Sequence, residues 1–217
     1  METVTKSMET VIVCDSQNEH TYSVTKKLSG QEGKSALLIG LYPTLGKDDS
    51  YHLDSTLKGL LNHLEELGIN EVMIVNLFSK RTVGAKLSAR GLTVDEENLT
   101  YIENILKAKD FNSMVILAWG TTMSTSQACN EAKERVVQML KKYRKKEIVY
   151  QLDCKNLELE ENIAPHVLYL GIRHTNDVWF LSPFPMKKFE AIMEERKQKR
   201  EQVVKLSIVE QEEKVKE

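Results

Sequence analysis

Cysteine is scarce: Cys14, Cys129 and Cys154 are scattered through 217 residues. An odd count without Cys-x-x-Cys spacing argues against a disulfide framework and against a zinc site. With few thiols and no framework, a reducing cytoplasm is the expected home. Long apolar runs are also lacking. None approaches the ~18 residues that a membrane helix needs, so no membrane partner is expected. The opening Met1-Glu-Thr-Val-Thr-Lys6 has no signal-peptide core. Neither sign of charge dominates, and the formal net charge of −2 supplies no bulk field toward nucleic acid or a membrane surface. No internal repeat is visible. What remains is a chain long enough to bury a full core, as one domain with decoration.

Three short apolar runs organise that chain. Ala36-Leu-Leu-Ile-Gly40 carries no charge and then turns polar through Tyr42, Pro43, Thr44, Lys47, Asp48 and Asp49. Such a run reads as a strand buried on both faces, ended by a proline that cannot donate to a ladder. Val72-Met-Ile-Val75 runs in the same way into Asn76, Ser79, Lys80 and Arg81. Met114-Val-Ile-Leu-Ala-Trp119 runs into Gly120, Thr121, Thr122, Ser124 and Thr125. Between them lie helical patterns. Leu57, Leu60, Leu61, Leu64 and Leu67 share a face over about 54–67, with Asp54 or Ser55 as N-cap and Gly68 as the stop. Leu99, Ile102, Ile105 and Leu106 do so over about 95–108. Ala132, Val136, Met139, Leu140 and Tyr143 do so over about 126–143. Glu147-Ile-Val-Tyr-Gln-Leu152 reads as a further strand.

Strand and helix alternating with short returns imply right-handed crossovers and a parallel sheet covered on both faces. The expected fold is α/β, a three-layer αβα arrangement with a mainly parallel central sheet. Residues 1–34 supply an antiparallel edge of the same domain through strands at about 10–14 and 20–25. Residues 35–185 form the core domain, and 186–217 a C-terminal helix and charged tail. Within the core, Val167–Gly171 and Asp177–Leu181 read as short strands, or as one strand and a buried turn. The stretch from Asn156 to Asn162 is an acidic connector. The C-terminal helix should dock through Phe189, Ile192 and Met193 and project or fray after about Lys197.

In open sheets of this kind ligands bind outside the carboxyl ends of the strands, where crossover direction switches. The three polar loops lie on that edge, and the candidate binding residues come from them. Asn76 offers paired donors and an acceptor that suit a base edge or an amide, or it caps its own turn. Arg81, in a long loop that also carries Lys80, Lys86 and Arg90, can hold a phosphate or carboxylate in fork geometry, or is a solvated loop cation. Gly120 and Thr121 open a hydroxyl-rich run into a helix N-terminus, which suits an anion; the alternative is N-capping by Ser124 or Ser126. This is no P-loop, because Gly-Lys-Ser/Thr does not follow. Trp119 stacks on a ligand or fills the core. His166, after Pro165, is the best-placed histidine for acid–base work, against an ordinary structural role. His52 with Asp48, Asp49 and Asp54 has no recognised ligand spacing, so no metal and no cofactor are expected. The basic runs at 141–146 and 196–200 read as solvated helix faces.

Taken together, the loops resemble a bacterial and phage family catalogued as domain of unknown function 1643. Its pattern is an Asn-Pro-Ser loop, Asp-x-Thr opening a helix, Asn-Leu-Phe with a following Arg, Ala-Trp-Gly, and a His-Pro-Leu-Tyr-Leu segment. Here these read Tyr42-Pro43-Thr44, Asp54-Ser55-Thr56, Asn76-Leu77-Phe78 with Arg81, Ala118-Trp119-Gly120, and Pro165-His166-Val167-Leu168-Tyr169-Leu170. Tyr42 replaces the pattern's Asn, and the order of His and Pro is inverted. More distantly, Gly40-Leu41-Tyr42-Pro43-Thr44, Asn76-Leu77 and His166 are similar to the three site loops of the uracil-DNA glycosylase superfamily. That similarity implies a base-binding pocket at the strand ends. Tyr42 then stands where the superfamily has its water-positioning Asn. A phenol is a poor general base at neutral pH, so His166 becomes the first candidate for a catalytic group.

The expected function is a cleft that binds a nucleotide or a base in nucleic acid, with glycosylase-like hydrolysis as the chemistry open to it if it is an enzyme. The alternative is a non-catalytic accessory protein that meets a protein partner through 186–217. Because residues beyond about Lys197 carry dense charge and few apolar side chains, truncation there is expected to leave the melting temperature almost unchanged. Differential scanning calorimetry of the truncated chain checks this.

Overall fold

A computed structural model describes residues 1–30, 32–82, 88–89, 91–157 and 163–214, with side chains described as far as residue 202. Lys86, Arg90 and most of the acidic connector, residues 158–162, lie outside the described residues. The chain forms two compact units, Met1–Phe184 and Pro185–Glu217.

The first unit is built on a seven-stranded sheet of β1 (Met8–Cys14), β2 (Thr21–Leu28), β3 (Lys34–Gly40), β4 (Ile69–Asn76), β5 (Met114–Leu117), β6 (Val149–Cys154) and β7 (Trp179–Pro183). Their spatial order is β1-β2-β4-β3-β5-β6-β7. The inner four, β4, β3, β5 and β6, run parallel. β2 is antiparallel to β4, β1 to β2, and β7 to β6. The fold is therefore α/β with a parallel centre and antiparallel edges. The uncharged run read from the sequence is the central strand: Ala36, Leu37, Leu38 and Ile39 are all buried, between the apolar runs of β4 and β5.

Helices α1 (Ser55–His63), α2 (Glu96–Lys107), α3 (Gln127–Tyr143) and α4 (Val167–Arg173) accompany the sheet. The crossover from β3 to β4 runs one way, and those from β4 to β5 and from β5 to β6 run the other. Right-handed connections then put α1 on one face and α2 with α3 on the opposite face. α4 packs beside α1, and α2 beside α3. Side-chain caps start the helices. Asp54 accepts from the Leu57 N–H at 2.7 Å, Asp95 from Asn98 at 3.1 Å and Ser126 from Cys129 at 3.3 Å. Each satisfies a donor that the first turn leaves without an intrahelical partner.

One expectation is corrected. Val167–Gly171 forms not a strand but the body of α4, capped by the ring of His166. Strand pairing resumes only at Trp179, in β7. The segment is apolar and only two turns long, so a helical stripe had no room to repeat before it ended.

The layer under α1 and α4 joins Ala36, Leu38, Leu60, Leu64, Ile116, Leu152, Val167, Leu170 and Trp179 in one buried cluster. Trp179 is fully buried and stacks on the His63 ring at 3.8 Å between centroids and 3° between planes. Its backbone N–H donates to Glu66 at 3.0 Å, tying β7 to the end of α1. The second unit carries α5 (Met186–Lys214), which remains helical past Lys197 and shows i,i+4 pairing of Glu195 with Lys199.

Leu60 is wholly buried at the centre of the α1–sheet contact. Leu60→Ala is expected to cost about 2–5 kcal/mol through lost transfer energy and the cavity left behind. Urea unfolding with an unchanged m-value measures it.

Candidate functional site

The carboxyl ends of β3, β4 and β5 meet a cavity of about 130 Å³ on the α1–α4 side of the sheet. Val24, Leu38 and Ile74 form its floor. Gly40 to Leu45 of the loop after β3, Asn76 and Ala118 line its strand-end side, with Asp54, Thr56 and Leu57 from the start of α1. His166, Val167 and Leu168 from the start of α4 close it. The α4 segment is thus a wall of the cavity and not part of the sheet. This is the crevice beside the crossover reversal, since the chain leaves β3 toward one face and β5 toward the other.

Asn76 ends β4, and its carbonyl accepts from the Asn98 amide at 2.6 Å. Its own side-chain amide makes no hydrogen bond with the described residues. The side chain lies over the Cα of Gly40: a Cβ placed there would come within 2.5 Å of the Asn76 Oδ1. Glycine at the end of β3 is therefore what admits the amide to the cavity. The sequence carried that signal as a glycine inside an apolar strand.

His166 is held by its own cap and by Gly120. Its Nδ1 accepts the Leu168 N–H at 3.1 Å as the N-cap of α4. Gly120, at φ +70°, has no side chain where a Cβ would press 3.0 Å from the His166 Cβ. The Gly120 N–H donates to the Ala164 carbonyl at 2.7 Å, and the Gly120 carbonyl accepts from the buried Lys133 ammonium at 3.0 Å. Ala164 itself takes the left-handed φ of 54°, and its N–H is bound by the Gln151 side chain at 3.0 Å. A non-glycine residue in that region carries strain that its surroundings must offset. Burial holds the imidazole below the ordinary histidine value; the Asp54 carboxylate opposes the shift and Lys133 adds to it. A ring whose Nδ1 accepts a backbone N–H is neutral, so its proton sits on Nε2.

Asp54 caps α1 with one carboxylate oxygen, and its other oxygen accepts the Thr44 hydroxyl. Among the described residues lining the cavity it is the one carboxylate. Tyr42 and Pro43 line the same wall. The remaining sequence-derived candidates stand apart. Arg81 donates to the Asn18 carbonyl at 2.8 Å and to Asp49 at 3.2 Å, over Gly46, where it braces the loop after β3 and does not line the cavity. Its support reaches the site indirectly, as the Thr82 N–H donates to the Pro43 carbonyl at 3.1 Å. Trp119 is buried, edge-on to Phe184, and lies outside the cavity lining. Gly120 backs His166, and Thr121 is exposed in the following turn. His52 pairs with Asp49 at 3.0 Å. Ala118 and Leu168 fall in the motif segments quoted above; the lining residues that the sequence did not single out are the rest of the apolar wall, Val24, Leu38, Leu45 and Ile74. Each carried only a core signal.

The sequence profile of the family described as Protein of unknown function (DUF1643) matches residues 22–164. No curated protein and no solved structure matches the chain.

With Nδ1 committed to the cap, protonating His166 costs the fold a hydrogen bond. Its lowered folded value means that the unfolded chain binds the proton more readily. The stabilisation is therefore complete above about pH 6.5, the ordinary histidine value, and is lost as pH falls toward and through the folded value. Asparagine is a good N-cap without a titrating ring. His166→Asn is expected to flatten the acid side of the stability curve relative to wild type, as read by urea midpoints on either side of that value.

Proposed function

We propose, for a chain that belongs to the DUF1643 family, that the cleft binds a nucleobase carried by a nucleotide or by nucleic acid. The observation that carries this reading is the Asn76 amide, free of partners among the described residues and set against an otherwise apolar floor. One donor–acceptor pair on an apolar surface suits a flat heterocycle with an amide-like edge. The size agrees: an apolar cavity of ~150 Å³ takes up benzene, and about 130 Å³ is available here. A six-membered ring fits, and the sugar and phosphate would stay outside at the loops.

Glycosidic hydrolysis is the chemistry that such a site would support. Water adds to the sugar C1′, the bond to the base nitrogen breaks, and the departing base takes up negative charge or a proton. His166, neutral with its proton on Nε2, suits donation to a base oxygen that gains charge. Asp54 suits orientation of the water, and Tyr42 contributes an apolar ring with a polar tip to the wall.

Removing a buried polar partner costs about 1–3 kcal/mol, so Asn76→Ala is expected to weaken base binding roughly ten- to a hundredfold. Isothermal titration with free pyrimidines and their nucleosides measures it, with Lys145→Ala as the unaffected control. For the chemistry, DNA carrying uracil, mismatched or alkylated bases is incubated with wild type and His166→Ala, and abasic sites are scored. Release by wild type alone supports hydrolysis. Absence of both release and Asn76-dependent binding overturns the proposal in favour of an accessory protein acting through residues 186–217.

A further inference from the structure

Away from the cleft, the end of β6 and the turn between α4 and β7 bring a thiol, an imidazole and a carboxylate together. Cys154 is the last residue of β6 and is buried. His174 caps the carboxyl end of α4, and Asp177 lies in the turn that follows. One ligand atom from each lies within 4.8 Å of the other two. The His174 Nδ1 and an Asp177 oxygen are 2.8 Å apart.

Three features pre-set the cluster. The His174 N–H donates to the Leu170 carbonyl at 2.8 Å, and the His174 carbonyl accepts from both the Asp177 N–H at 3.2 Å and the Trp179 indole N–H at 3.0 Å. The turn that spaces imidazole and carboxylate is therefore held by backbone and by a fully buried tryptophan. The Asn156 amide donates to the second Asp177 oxygen at 3.2 Å, an outer contact of the kind that orients ligating carboxylates. Tyr169 packs against the His174 ring at 5.9 Å. Exposure grades across the group: the Cys154 residue is 2% exposed, and the side chains of His174 and Asp177 are 13% and 26% exposed. One side thus faces the interior and the other faces water.

We propose that Cys154, His174 and Asp177 bind a divalent zinc-type cation. One sulfur, one nitrogen and one oxygen donor suit a borderline-soft ion, where an all-oxygen set would favour magnesium or calcium. Zinc–ligand bonds of about 2.0–2.3 Å set tetrahedral donors on the order of 3.5 Å apart, so the His174–Asp177 pair, now 2.8 Å apart, opens to admit the ion, and the thiol already lies within 4.8 Å of both. On binding, the thiol proton leaves to solvent and the thiolate joins the metal. Three protein ligands leave a fourth position for water on the exposed side. Ligands separated by twenty residues and by three show no Cys-x-x-Cys signature, which is why the spacing argument from sequence pointed away from zinc.

Cobalt(II) and zinc(II) themselves are the probes, titrated into the chelator-treated full chain. The expected result is one ion per chain, a thiolate-to-cobalt charge-transfer band, and a melting temperature raised by zinc. Cys154→Ser should abolish the band, while Cys14→Ser should keep it. Asp177→Asn, a shape-conserving change at a partly exposed position, should weaken binding at least tenfold and abolish the zinc-induced shift. It keeps the test open if Cys154→Ser does not fold. A band that survives Cys154→Ser, or binding and stabilisation equal in wild type and Asp177→Asn, overturns the proposal and leaves the cluster a hydrogen-bonded turn.

Discussion

The structure depends on one constraint: β3 must satisfy its backbone on both sides while both of its faces stay dry. Ala36 to Ile39 pair with β4 on one side and with β5 on the other, and all four side chains are buried. A strand without a polar face cannot sit at an edge or under solvent, so it takes the centre and recruits a helix layer on each face. Its next two carbonyls are taken by the chain leaving β4, with Gly40 accepting from Leu77 and Leu41 from Phe78. The Ile39 carbonyl is taken by Ala118, just past β5. The three strand ends are thereby locked at one level. A helix on each face, reached by opposite crossovers, cannot also cover the gap between them, and the cavity follows from that gap.

Two glycines decide what fills it. At Gly40 a methyl group would collide with the Asn76 amide, and at Gly120 it would press on His166. The polar groups of the cleft therefore sit where neighbouring strands give up their side chains. Gly120 also takes the positive φ that turns the chain out of β5 and back toward Ala164. Lys133 closes that corner from the opposite helix layer through the Gly120 carbonyl. Cationic charge is thus held near the histidine from behind, without lining the cavity.

How far this was legible in the sequence depends on period and length. The apolar runs of β3 and β4 and the leucine stripe of α1 were readable because each pattern repeats before it ends. The Asp and Ser caps were readable because those residue types have few other reasons to precede a stripe. α4 was not readable: it is short, wholly apolar at its start, and capped by histidine, a residue not expected in that role. Arg81 carried an ambiguous signal, since a loop guanidinium that braces Asp49 and one that holds a phosphate look alike in sequence. Asn76 was visible because a polar residue stops an apolar strand. The walls of the cavity were not, because a valine or leucine facing a ligand and one facing the core obey the same pattern.

Those same contacts constrain the chemistry. A histidine that serves as general base must accept a proton on one nitrogen and release it later. In His166 the Nδ1 lone pair is already occupied by the Leu168 N–H, and Nε2 carries the proton of a neutral ring. Accepting a second proton would break the cap and place charge in a buried site whose surroundings resist it. The economical use of this group is the fixed donation of one N–H, where a neutral imidazole costs no reorganisation when negative charge develops in front of it. Acceptance of a proton then has to fall elsewhere. Tyr42 has a weakly basic phenol to offer, whereas Asp54 is a carboxylate already oriented by the Leu57 N–H and the Thr44 hydroxyl. In the proposed reading the division of labour is therefore between a donor on α4 and an acceptor on α1, with Asn76 on the sheet between them to hold the ring. These two short helices flank the cleft, and each uses the side chain it sets at the cleft as its own cap. Positioning the site and starting the helix are one event in this fold.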